Sequence, residues 1–344
     1  MANVLILGSG FDAFATADLT TIFSTVSATI NTNTTHTPFN TGRSLSIINQ
    51  SAVFTPPAAT DSLIVGLYYK NLTASTINGT LIQFRQGGSD QLCIRWQTGN
   101  TGKLEIRRGG SAGTLLDTTS SAVATDGVFV HIEVRIKIST SIASGDVVIS
   151  VNGADVLTLA STTNTRNTST SSVDEIRICD SNGSMYIDDL FIHDWSTGSG
   201  GRIGKARFYP IRPNGDGASS DFVGSDGNSV NNYALVNSAP FASGSYVEGS
   251  TAGQVDVYDF ENLSVTPATI HAVIAHFSVQ AIDAGQRTVR PVLRIGGTLY
   301  DTGTDVVPSL SFMTRSAIFS TNPAGGSWSA GTINSMQAGL KLFT

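Results

Sequence analysis

The sequence predicts an all-β chain of two antiparallel β-sandwich (jelly-roll-like) domains in series. Three observations carry that expectation. Apolar residues recur at every second position, the period of a strand with one face in a core, while the 3.6-residue helical period is almost absent. Short turns rich in Gly, Asn, Asp and Ser separate these runs. A Gly/Ser break, Thr197-Gly-Ser-Gly-Gly201, divides the 344 residues into two stretches, each long enough for a domain.

Along the chain, Val4–Leu7 reads as a first strand, followed by Gly8-Ser-Gly10-Phe-Asp-Ala13. That spacing matches the dinucleotide fingerprint G-x-G-x-x-A, whose mechanism needs a helix N-terminus facing the pyrophosphate. A Thr- and Ser-rich chain follows instead, so the glycines are read as a turn entering a sandwich; one short helical turn is expected within Asp12–Phe23. Leu92, Ile94 and Trp96 share a face, as do Leu104 and Ile106. The clearest strand is Val128–Ile138: Val128, Val130, Ile132, Val134, Ile136 and Ile138 point inward, and Phe129, His131, Glu133, Arg135 and Lys137 point to a wet face. Asn152-Gly153 between Val147–Val151 and Val156–Leu159 is a hairpin turn, because both central residues of a type I′ turn need positive φ. The Ser/Thr/Asn-rich stretch Thr158–Ser172 reads as a surface loop, and Met185–Trp195 as the strand that closes the first domain. Beyond the break come an apolar run at Ile203–Ile211 and strands at Ile270–Val279, Val289–Ile295, Leu310–Phe312 and Leu340–Phe343, with a helical segment at Ser329–Ala338. The predicted domains are therefore 1–196 and 203–344, joined by a linker at 197–202.

Composition narrows the function. Charged residues are only 13% of the chain, so its polar surface is built from Ser, Thr, Asn, Gln and Gly. A net charge of −6 opposes phosphate-backbone binding, which needs clustered Lys and Arg; Arg107-Arg108 and Arg202–Arg212 are diluted by glycine and apolar residues. The N-terminal apolar run is four residues, too short for a secretory signal, and no run approaches a membrane span. Cys93 and Cys179 sit in strand-like runs and read as buried thiols, with a bridge between their strands left open.

Motifs for chemistry are sparse. Sandwich glycosidases need carboxylates that converge on one cleft. Around Asp174–Asp180 the acids fall on opposite faces, with Ile176 and Ile178 between, Asp188 and Asp189 are adjacent and diverge, and only Asp259 and Glu261 share a face at i, i+2. The five histidines (His36, His131, His193, His271, His276) show no metal spacing, and His271 and His276, five apart, face opposite sides. Asn214-Gly-Asp216-Gly-Ala-Ser-Ser-Asp221 and Asp226-Gly-Asn228 have the Asx/Gly chemistry of calcium loops, but Ser225 stands where an EF-hand needs glutamate; turn residues are the simpler reading, with a weak structural calcium left open. Trp96, Trp195, Trp328 and Tyr68-Tyr69 are assigned to the core rather than to sugar stacking. No catalytic residue, metal ligand or cofactor is expected, and no binding residue is singled out.

The first 195 residues resemble the laminin-G-like or concanavalin-A-like jelly roll of bacteriophage structural proteins. The matching pieces are Gly10-Phe11-Asp12, Phe39-Asn-Thr-Gly42-Arg-Ser-Leu45, Gly99–Arg107, His131-Ile-Glu133, Val151-Asn-Gly153 and, most specific, Tyr186-Ile-Asp-Asp-Leu-Phe-Ile-His-Asp194. The second half is similar to the C-terminal part of such proteins at Pro213-Asn-Gly-Asp216-Gly217, Asn232-Tyr233, Thr251–Tyr258, and Trp328-Ser and Asn334-Ser-Met-Gln-Ala-Gly-Leu340. The resemblance implies a non-enzymatic structural component of a phage particle: a tail or head appendage, adaptor or capsid decoration protein acting through oligomeric protein–protein contacts. It places the chain in the virion, assembled in the bacterial host cytoplasm, with other virion proteins and copies of itself as partners. The alternative is a carbohydrate-binding module that attaches a particle to host surface glycan. Nucleic acid binding and membrane insertion are not expected.

Overall fold

The computed structural model describes residues 4–39, 41–71, 79–139, 145–159, 163–178, 184–198, 200–283, 285 and 287–343. The protein is all-β, with 46% of residues in strands against 6% in helices. Its contacts divide it into two compact units. Met1–Asp12 and Ile22–Phe208 form the first, and Ala13–Thr21 and Tyr209–Thr344 the second.

In the first unit the strands are β1 (Val4–Ser9), β2 (Thr25–Asn31), β3 (Ser44–Phe54), β4 (Ser62–Asn71), β5 (Thr80–Gln86), β6 (Ser89–Trp96), β7 (Leu104–Arg108), β8 (Thr114–Thr118), β9 (Val130–Lys137), β10 (Asp146–Val151), β11 (Ala154–Thr158), β12 (Glu175–Ile178) and β13 (Ser184–Asp194). Hydrogen bonds link them in the order β11-β10-β9-β4-β13-β3-β12-β5-β6-β7-β8, with β1 added to β13 and β2 to β3. The strand β13 is the hinge of this path. Its first half, Ser184–Ile187, pairs with β3, and its second half, Leu190–Asp194, pairs with β1, while β4 flanks both. The exchange of partners occurs at a bulge between Asp188 and Phe191, where Asp189 takes φ 47°, and bulges bend strands in this way.

The bend folds the path into two facing layers with a core between them. Leu63, Val65, Leu67 and Tyr69 of β4 and Ile132, Val134 and Ile136 of β9 point inward from one layer, and Ile82, Phe84, Leu92, Ile94, Trp96, Leu104 and Ile106 from the other. The rings of Tyr69 and Trp96 meet across the gap at 4.9 Å. The alternation in β9 is the one the sequence predicts, but Val128 lies before the strand and is exposed. Asn152 and Gly153 turn β10 into β11 with φ 51° and 87°. The run Val4–Leu7 lies in β1, which pairs antiparallel to β13, and Phe11 follows with φ 61°, so the Gly8–Ala13 glycines serve a turn.

The second unit contains β14 (Pro213–Ser220), β15 (Val223–Gly224), α1 (Tyr233–Val236), β16 (Val247–Glu248), β17 (Val255–Phe260), β18 (Val273–Val279), β19 (Val289–Ile295), β20 (Thr298–Asp301), β21 (Met313–Phe319), α2 (Ala330–Ser335) and β22 (Gln337–Leu342). A five-stranded sheet, β14-β17-β22-β19-β20, accompanies the pairs β18-β21 and β15-β16. Leu293 and Ala338 of the sheet, Ala317 and Phe319 of β21, Trp328, and Ile333 of α2 share one apolar cluster. Ser329 caps α2 by accepting the Thr332 N–H, and the indole of Trp328 donates to the Phe319 carbonyl at 3.1 Å. A 3₁₀ turn at Thr16–Thr21 belongs to this unit: Thr314 donates to Asp18 at 2.9 Å, and the Phe14 ring meets His276 edge to face. One strand reading fails. Leu310–Phe312 is a bend with Leu310 exposed, and β21 begins only at Met313.

Candidate functional site

Strand register defines the outer face of the layer β1-β13-β4-β9-β10-β11. Directly opposed residues point the same way, so Phe191, Gly66, Glu133, Ser150 and Asp155 form one row across five strands. His193, Ile64, Arg135 and Val148 form the next row, and Asp188, Tyr68 and His131 the row on the other side. Gly66 is required here. The Phe191 ring lies flat over it, and a Cβ at that position would come 2.0 Å from Cζ. The ring is held between His131, stacked at 6.1 Å, and His193, edge to face at 5.7 Å.

This face is not wet, as the alternation alone predicted. His131 is 0% exposed and Glu133 only 3%. The cover is the chain's own segment 200–208, which the sequence divided between linker and second domain and which has no regular structure. It is held by bonds to side chains rather than by a strand ladder. The Gly200 carbonyl accepts from Arg135 Nη1 at 2.9 Å, Arg202 pairs with Asp155 and the Gly153 carbonyl, and the Gly204 N–H donates to Glu133 Oε2 at 2.7 Å. The Phe208 N–H donates to Asp189 Oδ1 at 2.8 Å, and the Arg207 guanidinium lies 3.6 Å above the Phe39 ring. Gly200, at φ 60°, fits against the Trp195 ring, where a Cβ would come 2.5 Å from Cε3.

The buried electrostatics follow from this cover. Burial raises Glu133 to about 7, against the pull of the Gly204 N–H and the Arg202 charge. Burial, with help from the Lys205 charge, lowers His131 to about 4, so the imidazole is neutral at pH 7. No protein group bonds either of its ring nitrogens. Asp188 and Asp189 are both raised, first by burial; the neighbouring Asp189 charge adds to the rise of Asp188. Chemically the face offers a carboxyl poised near neutrality, a neutral imidazole and a guanidinium, all beneath segment 200–208.

The other residues singled out from sequence are dispersed. Asp259 is exposed and accepts from Gln337 at 2.9 Å, while Glu261 lies past the end of β17 and accepts the Arg212 N–H. Asp174 accepts from Gln86 and from the Gly87 N–H, and Asp180 lies outside the described residues. Asp188 and Asp189, read as diverging, are both buried, Asp188 in the covered outer-face row beside Tyr68 and Asp189 at the bulge, where it accepts the Phe208 N–H. His271 precedes β18, and His276 bonds Ser316 across the β18-β21 pair at 2.7 Å. Trp96, Trp328 and Tyr69 are buried, as expected of core aromatics; Tyr68 is buried on the outer face instead, and Trp195, also assigned to the core, is only half-buried, its indole donating to the Ile136 carbonyl at 3.2 Å. Cys93 is buried with its sulfur 3.9 Å from the Thr80 hydroxyl, and Cys179 lies outside the described residues. Among the described residues, no three His, Cys, Asp or Glu side chains gather as a metal-ligating group, and no helix is long and apolar enough to cross a membrane.

No protein-family model matches the sequence, and no curated protein matches it. Solved structures give distant likenesses. Domain 4 of AbnA, an extracellular arabinanase from Geobacillus stearothermophilus in complex with arabinotriose, is 16% identical with a TM-score of 0.39 over 56% of this chain and 94% of that one. A carbohydrate esterase from the Shiga toxin-encoding bacteriophage phi24B is 13% identical, with a TM-score of 0.37 over 56% of this chain and 99% of that one. The Caenorhabditis elegans galectin LEC-6 is 14% identical, with a TM-score of 0.31 over 41% of this chain and 89% of that one.

Proposed function

We propose that this chain is a non-enzymatic structural component of a bacteriophage particle that works through protein–protein contacts, first of all with copies of itself. The observation that carries the reading is an aliphatic patch in the second unit. Ile282, Val307 and Leu310 are 85%, 63% and 61% exposed. They lie on two adjoining loops, joined by the Ala281 N–H to the Ser309 carbonyl (2.8 Å) and by Gln280 Nε2 to the Leu310 carbonyl (2.7 Å). A contiguous exposed aliphatic patch is what a protein–protein contact would cover, and these adjoining loops offer its residues. Repeated copies would meet in a closed symmetric oligomer, a trimer or a higher ring included, although two-fold dimers are the commonest form. The assignment to a virion rests on the resemblance of the Tyr186–Asp194 strand and its companion motifs to phage structural proteins.

Light scattering at several concentrations tests the contact. The wild-type chain is expected to form a discrete oligomer, and the Ile282→Ser, Leu310→Ser double variant a monomer with an unchanged circular dichroism spectrum. A wild-type monomer at every concentration would remove self-association from the reading.

A second reading, attachment to host surface glycan, is favoured by the polar face bearing His131, Glu133 and Arg135, which a saccharide would reach once segment 200–208 lifts. Binding on a glycan array, lost in Glu133→Gln, would select it.

A further inference from the structure

Between Asp216 and Ser220 the pairing of β14 with β17 slips out of register, so that residues 217–219 stand opposite Val257 alone. Asn232, at the start of α1, lies against this stretch, its amide within reach of Ser220 and Asp256. Its side chain does not cap the helix; it turns inward and is 0% exposed. The amide Nδ2 donates to the Phe222 carbonyl (3.0 Å), to Asp256 Oδ2 (3.0 Å) and to the Ser220 hydroxyl (3.3 Å). Those three acceptors fix the orientation of the amide, because a flipped Asn232 would set its oxygen against a carbonyl and a carboxylate. Asp256, on β17, is 1% exposed, and its Oδ2 also accepts from the Tyr258 hydroxyl at 2.8 Å. Beside it, Asp216 accepts the N–H groups of Asn231 and Tyr233.

Two oxygens in this cluster stand out. No hydrogen-bond donor of the protein reaches Asp256 Oδ1 or Asn232 Oδ1, although both are buried. Buried acceptors without a donor are uncommon in folded proteins and call for an electropositive partner. Both are hard oxygen donors, two carboxylates supply the negative charge, and the Asx-rich loop around them is the kind that cradles calcium rather than a transition metal.

We propose that Asp256 Oδ1 and Asn232 Oδ1, with the Asp216 carboxylate beside them, form a calcium site that ties β14, β17 and the loop before α1 together. With only two carboxylates, the expected Kd is weak, roughly 10⁻⁴–10⁻³ M, as in extracellular calcium modules.

The test uses the full chain freed of metal with EDTA. Millimolar CaCl2, but not MgCl2, is expected to raise the unfolding temperature and to slow amide exchange in peptides covering 214–236 and 255–260. Terbium is expected to luminesce on excitation of Tyr258. Asp256→Asn should abolish all three responses while keeping the fold, since the new amide can donate to Asn232 Oδ1. If that variant fails to fold, Asp216→Asn, on a partly exposed residue, should still weaken calcium binding several-fold. The proposal is overturned if calcium leaves exchange in these peptides unchanged, or if Asp256→Asn responds to calcium as the wild type does; a proton on Asp256 would then be the partner of Asn232.

Discussion

Replacing Glu133 with glutamine would test the buried face directly, because the pH dependence of the effect can be worked out from the structure. Glu133 has an ordinary value of 4.5 and is raised to about 7 by burial under segment 200–208. A group raised in the folded state holds its proton more tightly there. Its contribution is therefore fully present below pH 4.5, is lost as pH rises towards 7, and stays lost above that. At about 1.4 kcal/mol per pH unit, the whole rise is worth about 3 kcal/mol. His131 has the opposite sign. Lowered from 6.5 to about 4, it contributes stability above pH 6.5 that is lost as pH falls through 4. In the wild type these two slopes largely cancel between pH 4.5 and 6.5, so a stability curve of the wild type alone would hide both. The difference between Glu133→Gln and wild type isolates the carboxyl, since the glutamine oxygen can still accept the Gly204 N–H. Urea unfolding followed by tryptophan fluorescence, in a Trp328→Phe background so that Trp96 and Trp195 report on the first unit, gives that difference. Near pH 4.5 the two proteins should agree, and by pH 8 the glutamine variant should be the more stable by up to about 3 kcal/mol. A difference that does not change with pH would refute the burial of an ionisable Glu133, and with it the docking of segment 200–208.

Two further outcomes follow from the packing. Gly66→Ala drives a methyl into the Phe191 ring, which His131 and His193 prevent from swinging aside, so the first unit should lose about 1–3 kcal/mol. In the same urea assay, Phe191→Ala should relieve that clash, making the double variant less damaged than the sum of the singles. Ser329→Ala removes the cap of α2 and should cost the second unit about 1 kcal/mol, read from the Trp328 fluorescence transition.

Much of the fold is legible because period-two alternation and turn chemistry are local. Val130–Ile136 with Asn152-Gly153 fixes β9, its hairpin neighbours and their inward faces, and Ser329 announces the start of α2. The site is much less legible, since it depends on what covers the second face of a strand. His131 and Glu133 occupy the polar positions of an alternating run, which look solvent-facing until a segment some seventy residues later docks on them. That segment carries Gly200 and Gly204 and an apolar run, which reads equally well as linker and next strand. Adjacent aspartates in a regular strand point to opposite faces, so Asp188 and Asp189 look unrelated. Asp188 is buried on the covered outer face and Asp189 at the bulge that follows, a partner-exchange feature of β13 with no local signature. Asn232 belongs to the same class: one asparagine among many, distinguished only by its burial between β14 and β17.

A chain with 13% charged residues could have spread its ions over the surface for solubility, but the first unit gathers many of them on one half-buried sheet face. Arg85 bonds Glu175 and Asp90 from β5, and Arg177 also bonds Glu175 from β12. One strand pair away, Glu105 lies between Arg95 and Arg107. Side chains in these groups are only 7–31% exposed, so water and salt screen them less than free surface pairs. The Ser/Thr/Asn-rich stretch closes the same face, with Asn167 and Thr168 N–H groups donating to Gln91 and Gln91 Nε2 donating to the Thr170 carbonyl. Charge is thus used inside the unit to align strands. Contacts made through Ile282, Val307 and Leu310 would then be apolar and hydrogen-bonded, and the oligomer mass should be nearly the same in low and in high NaCl. A mass that falls steeply with added salt would mean that the contact surface is charged and lies elsewhere on the chain.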